Sequence, residues 1–323
     1  MESVIRFLKK NMILEVFALM IVSIFLGRDH HSFFVGLKRF LPLALFLMLY
    51  KPMTYLKLDE ALTGATAVKK KYLAALTLLY CIVFPASAYL LMKALLWILP
   101  GIESGLIAGV VLLALSPVAS STPAFVEMAG GDVQLTLVGV IYTFLLSLFV
   151  IPLGSRLILS RVVTVSLLSL LKSLVVCIGI PLVIGQFTRY LIVKYRGKEA
   201  LKKLKTPLDA LVLAGLFAMV FTVFGINGKV IAEQPHTIFY GLVLMNIYFL
   251  LRWFLTFATG KLLRLPAEQN IALTYSSTYN MTIATAVGIA TFGPMAAVGT
   301  VIGGPFAEMI QMILLVEFFK HFR

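Results

Sequence analysis

Apolar runs of near-constant length follow one another along almost the whole chain, each parted from the next by a short polar or basic stretch. A helix needs about 20 apolar residues to cross the hydrocarbon core of a bilayer, and the runs are close to that length. The pattern predicts ten membrane-spanning helices, at about 12–27, 34–50, 72–92, 104–128, 133–153, 172–190, 207–227, 236–258, 268–292 and 295–317. The first run has no small-residue cleavage site behind it and leads straight into further spans, so it reads as a retained helix. Residues 1–323 are expected to form one all-helical transmembrane domain.

Two spans carry polar interruptions at mid-membrane depth. Ser120-Ser121-Thr122 lies in the fourth and Ser276-Ser277-Thr278 in the ninth, close to half the chain apart. Each is thus the fourth span of a set of five. Because five is odd, the sets would run in opposite directions, as an inverted repeat with halves at about 1–155 and 156–323. Breakers and polar groups surround both tripeptides: Ser116-Pro117 and Pro123 in one, Tyr275, Tyr279, Asn280 and Thr282 in the other. Backbone groups freed at such breaks are costly in lipid unless protein or a watery cavity receives them. Facing half-helix ends offer amide donors on one side and carbonyl acceptors on the other, which suits an anion and a cation together.

Composition closes off the soluble alternatives. Apolar residues make up 60% of the chain and charged residues 13%, against about 45–50% and 25% in soluble domains. The formal charge of +14 sits in short clusters between apolar runs, such as Lys69-Lys70-Lys71 and Lys202-Lys203. That distribution matches positive-inside loops, not a nucleic-acid surface. One side of the predicted topology collects Arg6, Lys57, Arg264 and Arg323 besides those clusters, which places both termini in the cytoplasm of a multi-pass cell-membrane protein. Arg156 to Lys172, including Ser166, is predicted to lie along the interface as a link. Lys194 to Lys205 is predicted to be a cytoplasmic loop. Cys81 and Cys177 lie inside apolar runs and suggest neither a disulfide nor a metal site.

Several polar residues fall inside apolar runs. Glu308 sits near the middle of the tenth span with Gln311 three residues on, and reads either as a proton carrier or as a hydrogen bond between helices. Asn246 and Tyr142 are candidates to face a cavity or to join helices. Arg252 is expected to snorkel towards the cytoplasmic side. No nucleophile, histidine and acid stand in a catalytic arrangement, so no enzyme is predicted.

Several stretches resemble one superfamily, that of the bile-acid/sodium symporters and the arsenite-efflux permeases. Ser116-Pro117-Val118-Ala119-Ser120-Ser121-Thr122-Pro123 with Gly131-Asp132 looks like the symporters' fourth-helix break. Leu265-Pro266 with Ala272-Leu273-Thr274 looks like their entry into the ninth helix. Leu47-Met48-Leu49-Tyr50-Lys51-Pro52-Met53 and Gly304-Pro305-Phe306-Ala307-Glu308 are more similar to the permeases. The resemblance implies ten helices in two inverted five-helix repeats, a core and a panel domain, and spans four and nine crossing at their breaks. It also implies alternating access, with substrate and ion near the crossing.

The sequence departs from both patterns. Val118 stands where the permeases have a cysteine, so a soft ligand for trivalent arsenic is missing. Ser276 stands where the symporters have an acid, Asn280 and Tyr80 where they have glutamines, and Pro123 where they have an asparagine. Thr122 and Thr136 match hydroxyl ligands of their first sodium site.

These observations point to a secondary transporter of a small organic anion, working among membrane lipids without nucleic acid. Sodium or a proton is the candidate coupling ion, and no other cofactor is expected. The candidate substrate-binding residues are Ser120, Ser121, Thr122, Pro123, Ser276, Ser277, Thr278, Asn280 and Asn246. The candidate ion-binding residues are Thr122, Thr136, Tyr80, Ser276, Asn280 and Glu308. Two alternatives are an arsenite or antimonite efflux permease and a membrane sensor or lipid-interacting protein without transport.

Overall fold

Lipid offers no hydrogen bonds to a backbone, so an apolar span must satisfy its own amides, and an α-helix does so within one segment. The computed structural model describes residues 2–55, 67–163, 167–233, 235–303 and 308–321, and among these the chain is helical with no strand. Lys57, Ser166, Gly304 to Ala307 and Arg323 lie outside the described residues. Among the described residues six helices are long and apolar enough to cross a membrane: His31–Tyr55, Lys70–Ile98, Val133–Leu159, Leu170–Arg196, Lys205–Ile226 and Ile238–Leu262. The first predicted span falls within the helix Glu2–Asp29. The predicted spans four and nine are each interrupted at their tripeptide, giving Ser104–Leu115 with Thr122–Met128 and Ala267–Tyr275 with Met281–Phe292. Pro294–Gly303 and Met309–His321 cover the tenth.

Two connections differ from expectation. Arg156 to Leu159 complete the helix Val133–Leu159, and Leu167 to Lys172 open the helix Leu167–Leu174. The described residues of this stretch therefore include two helix ends. Lys194 to Lys205 is mostly helical as well. The preceding helix runs on to Arg196, and Gly197, at φ 75°, turns the chain into the short helix Lys198–Lys203. A positive φ suits glycine because it has no Cβ to clash.

Prolines bend the long spans at defined places. Pro85 and Pro181 each follow a wide π-turn, at Leu79–Val83 and Val175–Gly179. The wider turn accommodates a ring that lacks an N–H and would otherwise strike the preceding carbonyl.

The helices pack in two groups. Leu41–Tyr55 and Glu2–Asp29 both lie against Lys205–Ile226, and Ile180–Arg196 lies against Leu41–Tyr55. Polar ties lock this group near Pro52: Lys51 pairs with the buried Asp209, the Gln186 amide donates to Met53 O at 2.6 Å, and the Tyr55 hydroxyl donates to Leu201 O at 2.6 Å. In the second group Ser104–Leu115 lies against Pro294–Gly303, and Met281–Phe292 touches both. Small residues set that approach. A Cβ on Gly109 would overlap the Ala296 carbonyl, and one on Gly299 would overlap the Leu106 carbonyl. Close backbone contact of this kind replaces the hydrophobic effect as the force between helices in lipid.

Gly109→Ala should therefore lower stability by about 1–3 kcal/mol through overpacking. Gly36→Ala, at an exposed site with nothing within 4 Å of the new atom, should leave it unchanged. Thermal unfolding of the two variants in detergent checks the difference.

Candidate functional site

The two interrupted helices meet at their breaks, and the freed backbone groups can be followed one by one. In an unbroken helix the carbonyls of Leu113, Ala114 and Leu115 would accept from residues 117, 118 and 119. Pro117 has no N–H, so Leu113 O accepts from the Ser116 N–H at 3.1 Å and the Ser116 hydroxyl at 2.7 Å. The Val118 N–H turns to the Thr143 hydroxyl at 3.2 Å, and the Ala119 N–H to the Thr278 hydroxyl at 3.3 Å. Ala114 O and Leu115 O then take side-chain donors from other helices. Arg252 Nη1 donates to Ala114 O at 3.0 Å, and the Tyr80 hydroxyl to Leu115 O at 2.8 Å.

The second break is built differently. Ser276, Ser277 and Thr278 close tight turns onto Leu273 O, Thr274 O and Tyr275 O. The next peptide group, between Thr278 and Tyr279, lies between the side chains of Arg252 and Glu308. Its carbonyl faces Arg252 Nη2 at 3.5 Å, while its N–H donates to Glu308 Oε1 at 2.9 Å. The Asn280 N–H then donates to Pro117 O at 2.7 Å, a direct backbone bond between the breaks. The Asn280 side chain caps Met281–Phe292 by accepting from the Ile283 N–H at 3.1 Å. Finally, the Thr122 and Thr278 hydroxyls bond each other at 2.8 Å. The two tripeptides read as equivalent in the sequence thus touch through their threonines.

Not all the predicted residues share this place. Thr122, Ser276, Ser277 and Thr278 are buried inside the crossing, Ser120 and Ser121 are exposed, and Pro123 and Asn280 are half-buried. Ser276 bonds the Tyr72 hydroxyl at 3.0 Å, and the Ser277 hydroxyl has no partner among the described residues. Tyr80 is a donor to the first break. Asn246 lies on the Glu308 side, where Gln311 donates to its Oδ1 at 2.7 Å and its backbone oxygen at 3.2 Å. Thr136 stands at the start of Val133–Leu159 and donates to Asp132 O at 2.8 Å. Asp132 itself caps that helix and bonds through its N–H to Glu268 O at 3.0 Å, which ties the end of the first broken helix to the start of the second.

The snorkelling expected of Arg252 is overturned. Its side chain is fully buried, 3.8 Å from the centre of the Phe84 ring, with Tyr279 and Tyr248 at 5.5 and 5.8 Å. Aromatic faces and free carbonyls hold the guanidinium inside more favourably than a stretched side chain would hold it at the interface. A charged residue near the middle of an apolar span was itself the signal for such a role. Tyr72, Thr143 and Thr256, whose hydroxyl reaches Thr274 O at 3.2 Å, carried no such signal.

Residues 42–234 match the profile of the Sodium Bile acid symporter family. The chain is 28% identical over 338 residues to the arsenical-resistance protein Acr3 of Corynebacterium glutamicum, covering 97% of this chain and 88% of that protein. It is 28% identical over 219 residues to the uncharacterized transporter slr0944 of Synechocystis sp., covering 66% and 57%. A second protein named Acr3, from Alkaliphilus metalliredigens, is 27% identical over 218 residues, covering 65% and 60%.

Thr278→Val should destabilise the protein by about 1–3 kcal/mol, because the buried Ala119 N–H loses its acceptor. Thr122→Val should cost less. A double-mutant cycle on the pair should give a coupling of about 0.5–1.5 kcal/mol, and additive effects would show that the hydroxyl contact contributes nothing.

Proposed function

The chain belongs to the Sodium Bile acid symporter family, a family of membrane transporters, and on that premise we propose that it carries a small organic anion by alternating access at the crossing. The observation behind this reading is the direct meeting of two interrupted helices at Thr122 and Thr278. In this proposal the ten predicted spans form two inverted five-helix repeats. The group around Ser104–Leu115 and Met281–Phe292 is the moving core, and the group around Leu41–Tyr55 and Lys205–Ile226 is the panel. Both termini face the cytoplasm.

The exposed and half-buried residues of the crossing, Ser120, Ser121 and Asn280, meet the substrate. Their hydroxyls and amide can donate to a carboxylate or sulfonate. The buried Thr122, Ser276 and Thr278 hold the breaks in register. Sodium or a proton supplies the driving gradient, and Glu308, buried with its carboxylate on the Tyr279 N–H, is the acid nearest the second break.

Efflux of arsenite is the second reading, because two relatives are named as arsenical-resistance proteins. The chemistry at the crossing speaks against it. Val118 supplies no thiolate, Cys81 lies in the π-turn Leu79–Val83, and Cys177 makes its contact with Ala286 O. A trivalent arsenical needs soft sulfur ligands gathered at one place.

Purified protein in proteoliposomes should take up a member of a carboxylate and sulfonate panel under a sodium or proton gradient, and no uptake of any would sink the transport reading. Asn280→Leu, which removes a helix cap and a polar group at the crossing, should lower that uptake about tenfold or more. Expression in a metalloid-sensitive host should give no gain in arsenite tolerance.

A further inference from the structure

The carbonyls at the C-terminal ends of the two interrupted half-helices already take donors of the protein itself. The C-terminal end of a half-helix presents unpaired carbonyls and the negative end of the helix dipole. At a break inside a membrane this is where a small cation can be held. Here the end of Ser104–Leu115 has Leu113 O on Ser116, Ala114 O on Arg252 and Leu115 O on Tyr80. In the second break Thr274 O takes the Thr256 hydroxyl, and Thr278 O faces Arg252.

One guanidinium therefore spans both breaks. Its planar fork directs Nη1 to a carbonyl of the first broken helix and Nη2 towards a carbonyl of the second, which a single point charge could do only by sitting between them. The guanidinium is screened from lipid by the Phe84 ring on one face, and Glu308 lies across the Thr278–Tyr279 peptide on the other side. A sodium ion at the same carbonyls would have to displace these donors and sit beside a fixed positive charge in a medium that screens poorly.

We propose that Arg252 is the resident cation of the crossing, tethered to its helix and seated on the carbonyls of both breaks in place of a free metal ion. The inference rests on reading the crossing as the transport site and narrows that reading. The breaks hold together without sodium, and a sodium gradient is not what drives the cycle through these carbonyls. Tyr80 acts with Arg252 as the hydroxyl donor that closes the acceptor set.

The test is thermal unfolding of the purified full-length protein in detergent, with sodium chloride compared against N-methylglucamine chloride at equal ionic strength. A ligand of the folded state raises the midpoint by mass action, so the wild-type midpoints should agree within about 1 °C up to roughly 300 mM sodium. A saturable, sodium-specific rise overturns the proposal. Arg252→Ala should unfold at least about 5 °C lower. Millimolar ethylguanidinium should restore part of that loss in the variant and change nothing in the wild type. A variant with the wild-type midpoint, or a loss that ethylguanidinium leaves unrepaired, overturns the proposal as well. If Arg252→Ala does not survive purification, the wild-type titration decides alone. Absence of uptake in proteoliposomes would strike the transport reading, whereas a sodium-specific shift strikes only the assignment of Arg252.

Discussion

A helix interrupted in the middle of a membrane frees backbone groups that neither water nor lipid can receive, and each one left unpaired there costs several kcal/mol. This constraint explains why so many different helices send a polar side chain to one small region. Tyr72 and Tyr80, Thr143, Arg252 and Thr256, and Glu308 come from separate parts of the chain, and each bonds a backbone or side-chain group in the two breaks. The crossing is the polar centre around which the apolar helices pack. The close contacts at Gly109 and Gly299 set the distance at which its two halves can meet.

Within that centre the Thr278–Tyr279 peptide has a particular position. Its carbonyl faces the buried Arg252 guanidinium and its N–H donates to the buried Glu308 side chain, so one peptide dipole answers both groups. A carboxylate and a guanidinium placed this way are linked through a rigid peptide plane without touching. Movement of either flanking helix would change the alignment of that peptide, and through Asn280 and Pro117 it would reach the other break. The geometry thus connects Arg252 and Glu308, through the Thr278–Tyr279 peptide and Asn280, to Pro117 of the first break.

The family relation and the site chemistry carry different information. Membership places the chain among membrane transporters, while the residues at the crossing depart from both patterns that the sequence resembles. The acid expected within the second break is the hydroxyl Ser276, and an acid reaches that break from the next segment as Glu308. The thiol expected after the first proline is Val118. A fold can be kept while the ligands on it are exchanged, and function has to be argued from the groups actually present.

Much of the architecture was legible in the sequence, because crossing a bilayer imposes a length and a polarity on each segment. The apolar runs gave the helices, and the two polar tripeptides gave the positions of both interruptions, to within a few residues. That the two interruptions meet through Thr122 and Thr278 is decided by the tertiary structure. Hydropathy could not tell which polar residues face inward. Arg252, expected at an interface, is buried, the Tyr80 hydroxyl donates to Leu115 O, and of Ser120 and Ser276, alike in the sequence, the first is exposed and the second buried. The reason is that a span's length and polarity are properties of one segment. The partner of a freed carbonyl or amide is set by which other helix is beside it, and only the tertiary structure brings Arg252 to Ala114 and Glu308 to Tyr279.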